Sequence, residues 1–185
     1  MSITRVRRAA RGLAAVVLAT GALCVACSAG GVPPRLPIAG TRATGGLATV
    51  VHVVDGDTLD VRVGGRVERV RLLGVDTPET VKPGTPVECY GPEASKRTKQ
   101  LLAPGTAVLL QRDREARDRY ARLLVYLWRR GDGLFVNRSL LSGGFARPLS
   151  ISPNTAHRAE LAAVSAEADR ADRGLWGTCP PGEPP

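Results

Sequence analysis

Two neighbouring segments of this chain alternate apolar and polar residues with a period of two. Residues 59–63 form the first segment, and this alternation is typical of a β-strand with one buried face. Gly64 and Gly65 follow it, and they predict the tight turn of a β-hairpin because such a turn needs positive φ angles. The second segment, residues 67–75, is therefore predicted to fold back as an antiparallel strand. A β-sheet is the structure that this part of the sequence favours.

The other predicted elements are three more strands and three helices. Further strands are predicted at 48–54, 106–111 and 121–128, and helices at about 91–102, at about 136–141 and after Pro153. In the last helix, Leu161, Val164 and Ala168 recur at helical spacing. Five strands with inserted helices predict an α+β domain in the form of a small barrel capped by helices.

The N-terminal residues have the pattern of a secretory signal. Four arginines precede the apolar run at 13–26. Residues 1–26 contain no acid, so removal of these residues lowers the net charge from +9 to +5. Residues 1–27 are predicted as a signal peptide. Cys27 is followed by small residues and resembles the lipid-modified cysteine of bacterial lipoproteins, but Cys24 stands where such sequences usually carry Leu. Lipidation of Cys27 and ordinary cleavage into a secreted protein both stay open.

The rest of the chain is predicted to contain one folded domain between two irregular segments. Residues 28–46 are rich in Gly, Pro, Ser and Thr and are interpreted as a linker, and residues 180–185 as a Pro-rich tail. The domain is then 47–179. No run reaches the roughly 18 uninterrupted apolar residues of a transmembrane helix, which excludes a polytopic membrane protein.

Two cysteines remain in the predicted domain, Cys89 and Cys179. Export would bring them into an oxidising compartment, so the sequence favours one disulfide over two free thiols. By the chain-entropy model, a loop of this length would contribute on the order of 4–5 kcal/mol to stability.

Acidic residues cluster at two predicted strand ends. The sequence DGDT occupies 55–58 between two strands, and DTPE occupies 76–79 directly after the third strand. If these strands pair, Asp57 and Asp76 would lie close together, and two carboxylates with an oxygen of Thr77 would suit Ca²⁺. The alternative is a pair of surface turns, because Asp-Gly is a common turn sequence.

Two arginines occur in predicted strands that are otherwise built from Leu and Val, namely Arg71 and Arg122. Two planar guanidinium groups that converge on one site suit a phosphate, because each can donate two hydrogen bonds to its oxygens. Ordinary salt bridges to nearby acids are the alternative. The segment 112–119 alternates in charge and is interpreted as a solvated loop.

Several of these segments, taken in order, resemble the staphylococcal (thermonuclease-like) nuclease family. They are VDGDT at 54–58, RLLGVDTPET at 71–80, YGPEAS at 90–95, DRYAR at 118–122 and GLW at 174–176. The resemblance covers residues 48–177 and implies a five-stranded OB-fold barrel with three helices. It also implies a Ca²⁺-dependent nuclease that cuts DNA and RNA with little sequence preference and leaves 3′-phosphate ends.

The resemblance further implies a role for each matching residue at the site. Asp57 and Asp76 would bind Ca²⁺ together with the carbonyl of Thr77, and Asp55 would support them as an outer acid. These are hard oxygen donors of the kind that Ca²⁺ prefers.

The remaining roles that the resemblance implies concern the phosphate and the attacking water. Glu79 would orient or deprotonate the water. Arg71 and Arg122 would bind the scissile phosphate and the charge that builds on it, which is chemistry that phosphodiester hydrolysis requires. Arg119 and Tyr120 would contact the terminal phosphate of the nucleotide.

At a few positions the sequence departs from the type member of the family. Ser150 and Ser152 stand in a segment where that protein has tyrosines, and stacking is worth roughly 1–3 kcal/mol per base, so we expect weaker base contacts here. Ala121 replaces a glycine. Cys89 and Cys179 have no counterpart, and their disulfide would tie the first helix to the end of the chain.

Two functions from different classes are consistent with this resemblance. The first is an exported nuclease, secreted or lipid-anchored to the bacterial cell envelope, that acts as a monomer on DNA and RNA and touches the membrane only through an N-terminal lipid. The second is a catalytically silent nucleic-acid-binding module of the envelope. The catalytic and carboxylate metal-binding positions are all occupied by matching residues, and this favours the enzyme.

Overall fold

The computed structural model describes residues 46–80, 84 and 86–180. The predicted signal peptide, the lipidation of Cys27, almost all of the linker and nearly all of the Pro-rich tail lie outside the described residues. Within the described ranges, none of the helices has the length and apolar character needed to span a membrane.

The described residues form seven strands and four helices. In chain order they are β1 (Leu47–Val53), β2 (Thr58–Val63), β3 (Arg66–Leu72), β4 (Gly74–Asp76), α1 (Gly91–Leu101), β5 (Ala107–Gln111), β6 (Leu123–Arg129), α2 (Val136–Ser142), β7 (Arg147–Leu149), α3 (Arg158–Arg170) and α4 (Leu175–Thr178). The three predicted helices correspond to α1, α2 and α3. Strand β7 and the short helix α4 were not predicted.

Five of the strands close into a barrel in the order β1-β2-β3-β6-β5. Strand β5 pairs antiparallel with both β1 and β6, so the barrel has no open edge. Strands β3 and β6 run parallel, and the other barrel pairs are antiparallel. The predicted α+β class and the five-stranded OB-fold barrel with three helices are thus confirmed.

The predicted hairpin is present between β2 and β3. Val63 pairs with Arg66, and the two residues between them, Gly64 and Gly65, have φ angles of 55° and 80°. Residues with a side chain rarely adopt these angles, which explains why the turn consists of two glycines.

The prediction of one continuous strand at 67–75 is wrong. Strand β3 ends at Leu72, and Gly74 has a φ of 76°, so the chain bends there and leaves the barrel as β4. A Cβ atom at position 74 would lie 2.3 Å from Cδ1 of Leu161, so the bend also needs the absence of a side chain. Strand β4 then pairs with β7, and this places Asp76 beside the barrel.

The barrel interior and the space between it and the helices form one apolar core. Its fully buried side chains include Leu59, Val61, Val70, Val125, Leu127, Leu140 and Leu141. Burying a Val or Leu side chain stabilises the fold by about 1.5–3 kcal/mol. Buried Asn137 connects α2 to this core, because its Oδ1 accepts the N–H of Leu127 at 3.0 Å and its Nδ2 donates to Leu73 O at 2.7 Å.

The predicted disulfide between Cys89 and Cys179 is present, with a Cα–Cα distance of 5.8 Å. It joins Cys89, two residues before α1, to Cys179, which directly follows α4.

Candidate active site

The loop between β1 and β2 presents two buried carboxylates. Asp55 and Asp57 are each only 7% exposed, and the N–H groups of Val54 and Asp55 donate to the carbonyl of Thr58 at 2.9 and 3.0 Å. A Cβ atom at Gly56 would lie 2.6–2.8 Å from side-chain atoms of Thr77. The glycine therefore lets this loop pack directly against the segment that follows β4.

One oxygen of Asp57 connects the two acidic segments. Its Oδ2 accepts the N–H of Thr77 at 3.1 Å and the hydroxyl of Thr77 at 3.0 Å, and Oδ1 accepts the hydroxyl of Thr58 at 3.0 Å. The guanidinium of Arg71 contacts Oδ2 of Asp57 and donates from Nη2 to Oδ1 of Asp76 at 2.7 Å. The structure thus brings Asp57, Arg71, Asp76 and Thr77 into one cluster, which we call the acidic cluster.

Burial and mutual repulsion act on the carboxylates at this site. The pKa of Asp76 is raised, first by burial and then by the charges of Asp57 and Glu79, while Arg71 opposes the shift. Burial also raises the pKa of Asp55, and a hydrogen bond with Glu79 and the charge of Asp57 add to this rise. The site therefore favours the addition of positive charge, because a cation would stabilise the ionised carboxylates.

Asp55 and Glu79 lie together beside the acidic cluster. The hydroxyl of Thr80 donates to Oδ1 of Asp55 at 2.6 Å, and the N–H of Thr80 donates to Oε1 of Glu79 at 3.0 Å. The backbone N–H of Glu79 donates to Oε2 of Glu88 at 2.7 Å. Thr80 and Glu88 were not among the predicted site residues. The family-like segment at 71–80 could have indicated Thr80, whereas no pattern indicated Glu88.

The other predicted residues form a second cluster at the start of β6. Nε of Arg122 donates to Oδ2 of Asp118 at 2.7 Å, and its guanidinium lies over the ring of Tyr120 at 5.4 Å. Arg119 lies over the same ring at 4.8 Å and donates from Nη2 to its hydroxyl at 2.8 Å. Tyr120 is 64% exposed. Asp118 was not predicted to have a role, although its spacing of four residues from Arg122 permits this ion pair.

Strand pairing brings the two clusters to neighbouring strands. Arg71 pairs with Leu124 in the parallel β3–β6 ladder, and Arg122 lies two residues before Leu124. In the described residues, the side-chain contacts of Arg122 are with Asp118 and Tyr120. Its guanidinium therefore contacts its own cluster and not the acidic cluster that contains Arg71.

Comparison with known proteins identifies the family. The family model described as "Staphylococcal nuclease homologue" matches residues 69–178. The chain belongs to the staphylococcal nuclease family. It is 45% identical over 127 residues to the thermonuclease of Staphylococcus intermedius and 40% identical over 127 residues to that of Staphylococcus hyicus. The alignments cover 69% of this chain and 74% and 73% of those proteins.

A relative from a second genus is matched over a smaller share of its own length. The chain is 39% identical over 129 residues to the endonuclease YncB of Bacillus subtilis, which is 69% of this chain and 60% of that protein. The staphylococcal nuclease match begins at residue 69 and therefore includes every predicted site residue from Arg71 to Arg122. Asp55 and Asp57 precede the matched range, and the structure connects them to it through Thr77 and Thr80.

The oxygen atoms of the acidic cluster fit Ca²⁺. Among the described residues, no three His, Cys, Asp or Glu side chains converge as a metal-binding group. The resemblance to the family implies that a cation at this site would bind the carboxylates of Asp57 and Asp76, with the Thr77 carbonyl and water completing its shell. Ca²⁺ accepts such mixed sets of carboxylates, carbonyls and waters. The assignment of these residues as ligands stays a prediction.

Proposed function

We propose that this chain is a Ca²⁺-dependent nuclease that hydrolyses phosphodiester bonds of DNA and RNA with little sequence preference. Membership of the staphylococcal nuclease family and relatives named thermonuclease and endonuclease support a nuclease hydrolase. The proposed Ca²⁺ dependence and substrates depend mainly on one observation. Four residues form a single cluster, with Glu79 three residues beyond Asp76 in the chain, and they are Asp57, Arg71, Asp76 and Thr77.

Asp57, Asp76 and the carbonyl of Thr77 would hold the Ca²⁺ ion. Asp55 and Glu79 add two more acids nearby, while Arg71 is the cation that contacts both Asp57 and Asp76. A divalent cation would offset this excess of negative charge. When bound, Ca²⁺ supplies a Lewis acid for a phosphoryl oxygen.

Glu79 is the residue that we assign to the attacking water. Its Oε1 is fixed by the N–H of Thr80, and its backbone is fixed by Glu88. A general base must lie within hydrogen-bond reach of the proton that it accepts, so a carboxylate with a fixed orientation suits this role.

The two arginines would bind the phosphate and stabilise the charge that develops on it. Arg71 contacts two carboxylates, and its charge would be available to a phosphate if a metal ion neutralised those carboxylates. Asp118 engages Nε of Arg122, so the two Nη groups can donate to phosphate oxygens. Arg119 and Tyr120 would contact a terminal phosphate beside Arg122.

We further propose that the protein is exported and that its products carry 3′-phosphates. The Cys89–Cys179 disulfide supports export, because disulfides persist mainly in oxidising compartments. The 3′ location of the phosphate is inferred from the family resemblance. It is tested by labelling the 3′ ends of the digested DNA, which should require prior treatment with phosphatase.

Digestion of DNA and of RNA by the purified protein tests this proposal. We expect cleavage in Ca²⁺ and its loss in chelator, and full activity in chelator would contradict the metal assignment. Glu79→Gln should lose most turnover and keep DNA binding. Glu93→Gln removes an exposed acid from the first turn of α1 and serves as the control, with turnover near that of the wild type.

A further inference from the structure

Glu88 holds the backbone of Glu79 with two hydrogen bonds that run in opposite directions. The N–H of Glu79 donates to Oε2 of Glu88 at 2.7 Å, and the N–H of Glu88 donates to the carbonyl of Glu79 at 3.0 Å. Both backbone groups of Glu79 are therefore engaged by one residue, and Glu88 is itself half-buried.

The start of α1 packs against the same backbone. A Cβ atom at Gly91 would lie 3.2 Å from the carbonyl oxygen of Glu79, 3.3 Å from that of Pro78 and 2.7 Å from Cγ2 of Thr80. The helix begins at Gly91, three residues after Glu88. The Glu79 segment is therefore enclosed by hydrogen bonds from one residue and by close packing from the next element.

The disulfide anchors Glu88 from the other side. Cys89 is adjacent to Glu88 in sequence, and it is bonded to Cys179. The N–H of Cys179 donates to Leu175 O at 2.9 Å, and the N–H of Leu175 donates to Gly144 O at 2.8 Å. Leu175 is buried, so this end of the disulfide is held by a buried residue that is hydrogen-bonded to the segment following α2.

We propose that Glu88 is a positioning residue for Glu79 and that the Cys89–Cys179 disulfide holds Glu88 in place. This inference rests on the proposed function, in which Glu79 acts on the attacking water. Glu88 acts through the backbone of Glu79, and it limits where the Glu79 carboxylate can point. A displacement of about 1 Å in a catalytic group can cost about 100-fold in rate.

Kinetics of two variants in two backgrounds test this role. We expect Glu88→Ala to lower kcat about 10- to 100-fold while KM changes less than about threefold, because the Glu79 carboxylate loses its orientation. Glu88→Gln keeps a carbonyl acceptor and should retain most of kcat. In the Glu79→Gln background, Glu88→Ala should lower the residual kcat less than about twofold, since residues that act together are not additive.

Amide hydrogen exchange gives a readout that does not depend on activity. The N–H of Glu79 should exchange at least about tenfold faster in Glu88→Ala than in the wild type, because the variant removes its acceptor. The circular dichroism spectra and Tm of both proteins are compared, so that global unfolding is excluded as the cause. An unchanged exchange rate at this amide would overturn the inference.

The disulfide is tested by Cys89→Ser and Cys179→Ser. Each should lower kcat several-fold, and neither should lower it further in Glu88→Ala, because all three changes release the same contact. If the cysteine substitutions lower kcat by the same factor in the wild type and in Glu88→Ala, the anchoring role is overturned.

The failures of the two proposals differ. If Glu79→Gln keeps wild-type turnover, the proposed function fails at Glu79 and this inference fails with it. If Glu79→Gln loses turnover while Glu88→Ala does not, or if Glu88→Ala costs the same in both backgrounds, the nuclease assignment stands and only the positioning role is overturned.

Discussion

Thr77 donates both its backbone N–H and its hydroxyl to the same carboxylate oxygen of Asp57, at 3.1 and 3.0 Å. These two hydrogen bonds fix a side chain that lies 20 residues earlier in the chain. They also hold together the two acidic segments from which the proposed metal ligands come.

Thr77→Val should weaken Ca²⁺ binding. The variant keeps the shape and the N–H of Thr77 but removes one hydrogen bond to Asp57, which costs about 1 kcal/mol, or about fivefold in apparent affinity. The measurement is a Ca²⁺ titration by calorimetry and by activity. Thr155→Val, at an exposed position before α3, is the control. An affinity equal to that of the wild type would contradict the orienting role of Thr77.

Asp76→Asn should stabilise the metal-free protein at neutral pH. Its pKa in the folded state is raised above the ordinary value of 3.8, mainly by burial. As pH rises above about 3.8, the unfolded chain releases this proton first, so the folded state loses stability until the pH passes the raised pKa. Asn cannot ionise and avoids this loss.

Urea denaturation in chelator between pH 4 and pH 7 measures this effect. The free energy of unfolding of Asp76→Asn relative to the wild type should increase with pH, and Ca²⁺ should no longer stabilise the variant. Asp169→Asn, on the exposed face of α3, should show neither effect. A stability difference that is independent of pH would argue against the burial of a charged Asp76.

Ala121→Gly should stabilise the protein by about 0.5–1 kcal/mol. Ala121 has a φ of 62°, and the left-handed conformation costs a residue with a Cβ about 1–2 kcal/mol, of which the greater chain entropy of glycine offsets a part. Thermal and urea unfolding give the change. Ala116→Gly, in the same loop but without a positive φ, should be destabilising, and a similar loss at both positions would refute the strain at Ala121.

The barrel could be predicted because its strands carry their signal locally. Apolar residues alternate along β2, and two glycines mark the hairpin that follows. The bend at Gly74 could not be predicted in the same way, because the apolar pattern continues through it and the close approach of Leu161 arises only in the folded chain. Strand β7 and helix α4 are three and four residues long, which is too short for a periodic pattern.

The candidate site was predicted to a similar extent and for similar reasons. Asp57 and Asp76 were predicted to lie close together because both stand at strand ends, and Arg71 contacts both carboxylates. Asp76 lies on β4, however, beyond the bend at Gly74, so pairing of the barrel strands alone does not bring the two together. The partners that orient the site residues, Thr80, Glu88 and Asp118, depend on hydrogen bonds made after folding. Glu88 in particular belongs to no apolar pattern and lies nine residues from the group that it contacts.

Ser150→Tyr should tighten the binding of single-stranded DNA. Ser150 is exposed and stands in the segment after β7 where the type member of the family carries tyrosines, so a ring at this position has room to stack on a base. A gain of about 1 kcal/mol, or about fivefold in Kd, is the lower end of the usual range for base stacking. Fluorescence anisotropy of a labelled oligonucleotide in chelator measures binding without cleavage. Ile151→Tyr adds a ring at the neighbouring exposed position and should change Kd less than Ser150→Tyr, and an equal gain for both would indicate nonspecific contact.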